Sequence, residues 1–226
     1  MSARERILAR VRAAAGHRAP HPGRYAAPAL PGDPASFART LAAAGGALLG
    51  PVAQAELGAT VAECVQALAP GERVVAGRSA RAWLRGAPFS FEVAAENATA
   101  SAFEDVAVAI LRGRVAVAEN GAVALLEEDL PQRSLAFLCA HLVLLVERGA
   151  LVPDLHTAVA RLGGAAGAHV SWIAGPSKTA DIEQTLVLGA HGPLSLDVVM
   201  VEGPPDGAGG SGAAGRADDA PWGLDP

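Results

Sequence analysis

Arg114-Val115-Ala116-Val117-Ala118-Glu119-Asn120-Gly121-Ala122-Val123-Ala124-Leu125-Leu126 sets Asn-Gly between two apolar, strand-like runs. Both turn residues tolerate positive φ, so the stretch predicts a hairpin closed by a two-residue turn, with one antiparallel strand pair. Downstream, His141-Leu142-Val143-Leu144-Leu145-Val146 has no polar alternation and predicts a strand buried on both faces, the mark of a covered parallel sheet. The hairpin therefore interrupts a sheet that is otherwise mostly parallel.

The flanking sequence alternates between helical and strand-like segments. Asp33 caps a helix with Pro34 in its first turn, Phe37 and Leu41 on one face, and Gly45-Gly46 at its end. A strand over Ala47 to Leu49 follows, then a helix over Gln54 to Leu68 with Leu57, Val61, Cys64, Val65 and Leu68 apolar. Arg73 to Ala76 and Phe89 to Val93 read as strands around a short helix capped by Ser79 and running to Leu84. Asp154 caps a helix to Leu162, and Val170 to Ile173 and Leu196 to Val201 are strands. Roughly six to eight strands with helices between them make a layered α/β domain, helices on both faces of a mixed, mostly parallel sheet.

This domain occupies 34–202. Before it, residues 1–15 form a helix with Ile7, Leu8 and Val11 at helical spacing beside a basic face. Residues 16–33 are a Pro- and Gly-rich linker whose His17 and His21 have no fixed geometry for a metal. After Glu202, residues 203–226 have almost nothing to bury and read as a disordered tail.

Composition narrows the function. The chain has 226 residues, 51% of them hydrophobic, and a net charge of −5 with an isoelectric point near 5.7; a nucleic-acid binder would carry a basic stripe and a far higher value. Cys64 and Cys139 lie far apart without a neighbour at ligand spacing, so no disulfide framework, zinc site or iron-sulfur site is encoded and no metal is expected. No apolar run reaches the roughly 20 residues of a membrane helix, and the N-terminus lacks a secretory core, so the expected location is the cytoplasm.

Of 18 basic residues only Lys178 is lysine. It lies in Gly175-Pro176-Ser177-Lys178-Thr179-Ala180-Asp181-Ile182-Glu183, where Ser177 or Thr179 can cap a helix starting after the strand from Val170. A compact ammonium at such an N-terminus, at the carboxyl end of the sheet, suits a carboxylate or phosphate. Asp181 and Glu183 fall in the first turns of that helix, where acids offset its dipole. The segment is not a phosphate-binding Walker loop, because Trp172 and Ser177 stand where that motif needs glycines. Gly189-Ala190-His191-Gly192-Pro193 is a tight loop whose histidine can serve as acid, base or anion donor, or as a turn histidine bonded to backbone. Glu119, at the hairpin end, can act as nucleophile or base, or simply face solvent.

The blocks Ala118–Val123, Gly175–Glu183 and Gly189–Pro193 resemble the lactate utilisation protein C family, also called the LUD domain, with the likeness running over roughly Phe37 to Val201. The resemblance implies a fold of the ribose-5-phosphate isomerase and CoA-transferase group. It also implies a role as one subunit of a cytoplasmic L-lactate-oxidising system whose iron-sulfur clusters reside on partner subunits, with no cofactor in this chain. The candidate ligand-binding residues are then Asn120, Gly121, Gly175, Ser177, Lys178, Thr179, Asp181, Glu183 and Gly192, and the candidate catalytic residues Glu119 and His191. Glu119-Asn120-Gly121 also resembles the Glu-Asn-Gly element of CoA transferases, whose glutamate forms an acyl intermediate, although the serine usual before it is Ala118 here. A non-catalytic assembly or regulatory subunit is the third reading.

Overall fold

The computed structural model describes residues 2–14, 29–130, 132–163, 169–180 and 184–203. In chain order the elements are α1 (Ala3–Ala14), α2 (Pro34–Ala43), β1 (Ala47–Val52), α3 (Gln54–Leu68), β2 (Val74–Ala76), α4 (Arg78–Arg81), β3 (Glu92–Val93), β4 (Val108–Arg112) and β5 (Val115–Val117). They continue with β6 (Ala122–Leu126), α5 (Leu135–Leu138), β7 (His141–Glu147), β8 (Leu151–Val152), α6 (Leu155–Leu162), β9 (Val170–Ile173), β10 (Lys178–Thr179), β11 (Val187–Leu188) and β12 (Ser195–Val201). Most of the 16–33 linker and of the 203–226 tail, with His17, His21, Asp181 and Glu183, lies outside the described residues.

A six-stranded sheet in the order β1-β12-β7-β4-β2-β3 is parallel at every described pairing. Because side chains alternate along a strand, each strand feeds two cores. Leu142, Leu144 and Val146 of β7 point to one face with Phe37 and Leu41 of α2, while Val143 and Leu145 point to the other with Leu57 and Val61 of α3. Helices thus cover both faces.

The hairpin forms, but elsewhere and by a different turn. β5 and β6 belong to a second sheet, β8-β5-β6-β9, rather than to the main one. Ala116, Val123 and Leu125 press its inner side onto the core that holds α2, and Val115, Val117 and Ala124 face α6 through Ala158 and Leu162. Pairing of Val117 with Ala122 leaves a four-residue loop, 118–121, in which Gly121 alone is left-handed, at φ 72°. The Gly121 N–H donates to the Val117 carbonyl at 3.0 Å and the Ala122 N–H to Asn120 Oδ1 at 3.0 Å, so asparagine closes the turn through its side chain instead of a positive φ. The expectation of a single antiparallel pair also needs correction, since β6 pairs with β9 and β10 with β11 in that sense too. Four strands escape the sequence reading: β8, the pair β10 and β11, and the central β4 flanked by β2 and β7. Elsewhere Gly77, not Ser79, caps α4, and the strand over Phe89 to Val93 shortens to β3.

Candidate functional site

Two of the three sequence blocks meet at the last turn of α2, and the third, Gly189–Pro193, joins them through Ser177. Its start is set by Asp33, which accepts from the Ser36 N–H at 2.8 Å and whose carboxyl is thereby held below its ordinary range. At its other end, Thr40 donates its hydroxyl to the Ala118 carbonyl at 2.9 Å, tying the hairpin loop to the helix. Gly121 lies flat on the same turn: a Cβ there would stand 2.6 Å from the Leu41 backbone. Gly175, at φ 76°, packs so tightly on Ala44 that a side chain would overlap its carbonyl oxygen. Lys178 then reaches over Gly45 and donates Nζ–H to the Ala44 carbonyl at 2.6 Å.

This arrangement overturns the expected helix after Gly175-Pro176. Ser177, Lys178 and Thr179 are extended, with Lys178 paired to Leu188 and Thr179 to Val187 in a small antiparallel ladder. The Ser177 N–H donates to the Pro193 carbonyl at 2.9 Å and its own carbonyl accepts from Gly189 N–H at 3.0 Å. Backbone groups that a helix start would leave open are thus used across the hairpin. Instead of extending a helix N-terminus, the Lys178 ammonium sits at the C-terminus of α2, where carbonyls carry the negative end of the dipole. Lys178 is an exposed residue, and Ala44 takes one of the three N–H donors of its ammonium.

The second correction is the edge of the sheet. Gly45-Gly46 precede β1 and Leu194 precedes β12, so the Lys178 and His191 loops lie at the amino ends of the parallel strands. An open crevice of about 720 Å³ lies there, walled by Glu104 to Ala107 before β4, Phe137 to Ala140 before β7, and Gly189 to Gly192 with Leu194 before β12. The carboxyl edge is filled by the chain's own charges. Arg112 stands 5.3 Å from the Trp83 ring centroid and donates to Glu147 at 3.1 Å; Arg114 grips the fully buried Asp129 at 2.5 and 3.0 Å; Arg148 pairs with Glu202 at 2.8 Å. These pairs occupy the edge where the strand-end rule places a ligand.

The candidates divide accordingly. His191 and Gly192 line the crevice, and the Ser177 hydroxyl accepts from the His191 N–H at 3.3 Å, bringing two of the blocks together. Lys178 and Thr179 occupy the neighbouring strand, nearer α2. Glu119 is separate in role: its Oε2 accepts from the Leu155 N–H at 3.0 Å, so the carboxylate is engaged at the start of α6, beside the Asp154 cap. Asn120 and Gly121 shape the loop that carries it. Thr40, Ala44, Phe137 and Leu138 belong to this region and no local motif points to them; only their partners across the fold do. Cys64 and Cys139 are buried, and desolvation pushes both thiols up to about 12.

A sequence model of the LUD domain matches residues 40–201. Lactate utilization protein C of Geobacillus kaustophilus (strain HTA426) is 32% identical over 106 residues, 44% of this chain and 44% of that protein. The protein of the same name from Bacillus pumilus (strain SAFR-032) is 31% identical over 124 residues, 50% and 52% of the two chains. The alignments thus span about half the length of these relatives. A DUF162 family protein from Deinococcus radiodurans superimposes with a TM-score of 0.58 at 19% identity, covering 74% of this chain and 94% of its own, a likeness of fold.

Proposed function

Because the chain belongs to the LUD domain family, its match covering 40–201, we propose that it is a subunit of a cytoplasmic L-lactate utilisation system that oxidises lactate to pyruvate with iron-sulfur partner proteins. Its own share of that work is recognition of a small carboxylate or phosphate-bearing ligand at the Lys178 hairpin. The observation that carries the ligand half is the exposed Lys178 residue, its ammonium fixed over the last turn of α2 by the Ala44 carbonyl, in a hairpin whose Ser177 hydroxyl accepts from the His191 N–H. A compact point charge of this kind matches a carboxylate or phosphate without requiring a bidentate fork. The pathway half rests on relatives that carry the name lactate utilization protein C.

Oxidation of lactate to pyruvate removes two electrons and two protons. The only two thiols of this chain are buried and raised to about 12, poor donors for a cluster, so the clusters are assigned to partners. Glu119 as a CoA-transferase nucleophile is the weaker reading, since its carboxylate would first have to leave the Leu155 N–H.

Thermal denaturation with increasing L-lactate, pyruvate or inorganic phosphate tests the ligand. A concentration-dependent rise in Tm in the full chain, retained in part by Lys178→Arg and absent in Lys178→Ala, is expected. No rise with any of the three, or an equal rise in Lys178→Ala, removes the ligand site. Affinity capture of the full chain from lactate-grown cells should bring down an iron-sulfur protein, and a deletion strain should fail on L-lactate as sole carbon source.

A further inference from the structure

Phe137, Leu138 and Leu194 around the amino-edge crevice are 42%, 42% and 51% exposed, and two acids, Glu104 and Asp105, stand on its wall. Exposed apolar side chains grouped at a concavity and rimmed by charge mark an interaction surface. Asp105 is already paired with Arg73; Glu104 lies open to solvent. The surface thus asks for an apolar, basic segment.

The chain contains one. Helix α1 carries Arg4, Arg6, Arg10 and Arg12 around Ile7, Leu8 and Val11, buries none of its residues, and leaves Ile7 and Val11 62% and 59% exposed. At 1.5 Å per residue its 12 residues make a rod about 18 Å long, held by little of its own, because an isolated helix of this length is marginal in water. An amphipathic helix of this kind is stabilised by the groove that takes it.

We infer that the amino-edge crevice is the seat of α1 from a second copy of this chain, so that two molecules exchange their N-terminal helices. The charges complement each other, arginines against the open Glu104, and the apolar stripe of α1 meets Phe137, Leu138 and Leu194. In the single chain Ile7, Val11, Phe137, Leu138 and Leu194 all stay exposed, whereas a twofold exchange covers both sets in both copies and closes without leaving a free end. This goes beyond the ligand reading and does not depend on it: the helix seats on the apolar and acidic wall, and Lys178 lies on the other side of the hairpin.

Sedimentation velocity on the full chain over a wide range of concentration tests it. A concentration-dependent dimer is expected, and removal of residues 2–14 should leave a monomer with the body's circular dichroism and Tm unchanged. Arg6→Glu with Arg10→Glu should raise the dissociation constant by about tenfold or more, as should Glu104→Arg alone, and the triple variant should recover much of the loss. A wild-type monomer at every concentration, or a monomer whose α1 crosslinks to its own crevice, overturns the proposal. So does a dimer that survives removal of residues 2–14, which would place the interface elsewhere. Lactate-dependent Tm shifts in the truncated chain separate this outcome from failure of the ligand site.

Discussion

Asp129→Ala should be among the most damaging single substitutions in the molecule. Asp129 is fully buried and receives Arg114 Nε and Nη2 at 2.5 and 3.0 Å, a bidentate grip. Arg114 lies between β4 of the main sheet and β5 of the second, while Asp129 follows β6, so the pair joins the two sheets where the chain crosses between them. Without the carboxylate the guanidinium keeps only Glu128, whose side chain is 63% exposed. Breaking a fully buried pair costs about 3–5 kcal/mol. Arg114 retains 24% exposure, so water recovers part of its solvation and about 2–4 kcal/mol remains. For a chain of this size that corresponds to a fall in Tm of about 5–15 °C. Urea unfolding followed by circular dichroism and by Trp83 fluorescence reads the loss. The companion Arg114→Met/Asp129→Leu should be much closer to wild type, because it removes both charges and leaves none unpaired. A loss below about 1 kcal/mol for Asp129→Ala, or a double variant as damaged as the single, would refute this account of the junction.

Gly121→Ala combines a left-handed φ of 72° with a clash on the Leu41 backbone, whereas Gly71→Ala meets open space at a similar φ of 77°. Denaturant midpoints should show a cost near the 1–2 kcal/mol of left-handed strain for Gly71→Ala and a clearly larger one for Gly121→Ala. Asp33 and Asp154 each hold a helix start through N–H groups of Ser36 and Thr157, and both carboxyls titrate below their ordinary 3.8. A depressed folded value means the stabilisation is complete above that pH and disappears as pH falls through the folded pKa. Tm should therefore drop below about pH 4, and less steeply in Asp33→Asn/Asp154→Asn. Cys64 and Cys139, raised to about 12, should not react with a disulfide reagent at pH 8 until denaturant is added, and rapid labelling of the native protein would contradict their burial.

Much of the architecture was readable because it rests on local chemistry. Asp33-Pro34, the apolar stripe of α3, the run 141–146 and the Asp154 cap each specify an element without help from distant residues. Failures began where a distant partner outcompeted a local preference. Ser177-Lys178-Thr179 has a good helix-start pattern, yet Pro193 and Gly189 took its backbone bonds. Val108 to Arg112 lies in an apolar stretch whose period distinguishes neither strand nor helix, and only β2 and β7 on either side make it a strand. The hairpin was legible but not its destination, since small residues such as Ala116 and Ala118 say nothing about which sheet they serve. The likeness of the three blocks to one family was visible in order, but the meeting of the first two around Thr40, Leu41 and Ala44 was not, because nothing in α2's own sequence announces it.

The place of β12 has a consequence for how the molecule is made. Residues 195–201 are synthesised after the other strands of the sheet and insert between β1 and β7, pairing Ala47 with Asp197. Until they emerge, the inner edges of both strands offer unpaired backbone, and β1 lacks its neighbour in the sheet. A ribosome-bound chain therefore carries an open seam until β12 emerges, and closure across so long a separation favours slow folding. Premature termination before 195 would leave not a smaller working domain but a sticky fragment, a natural client for chaperones and proteases.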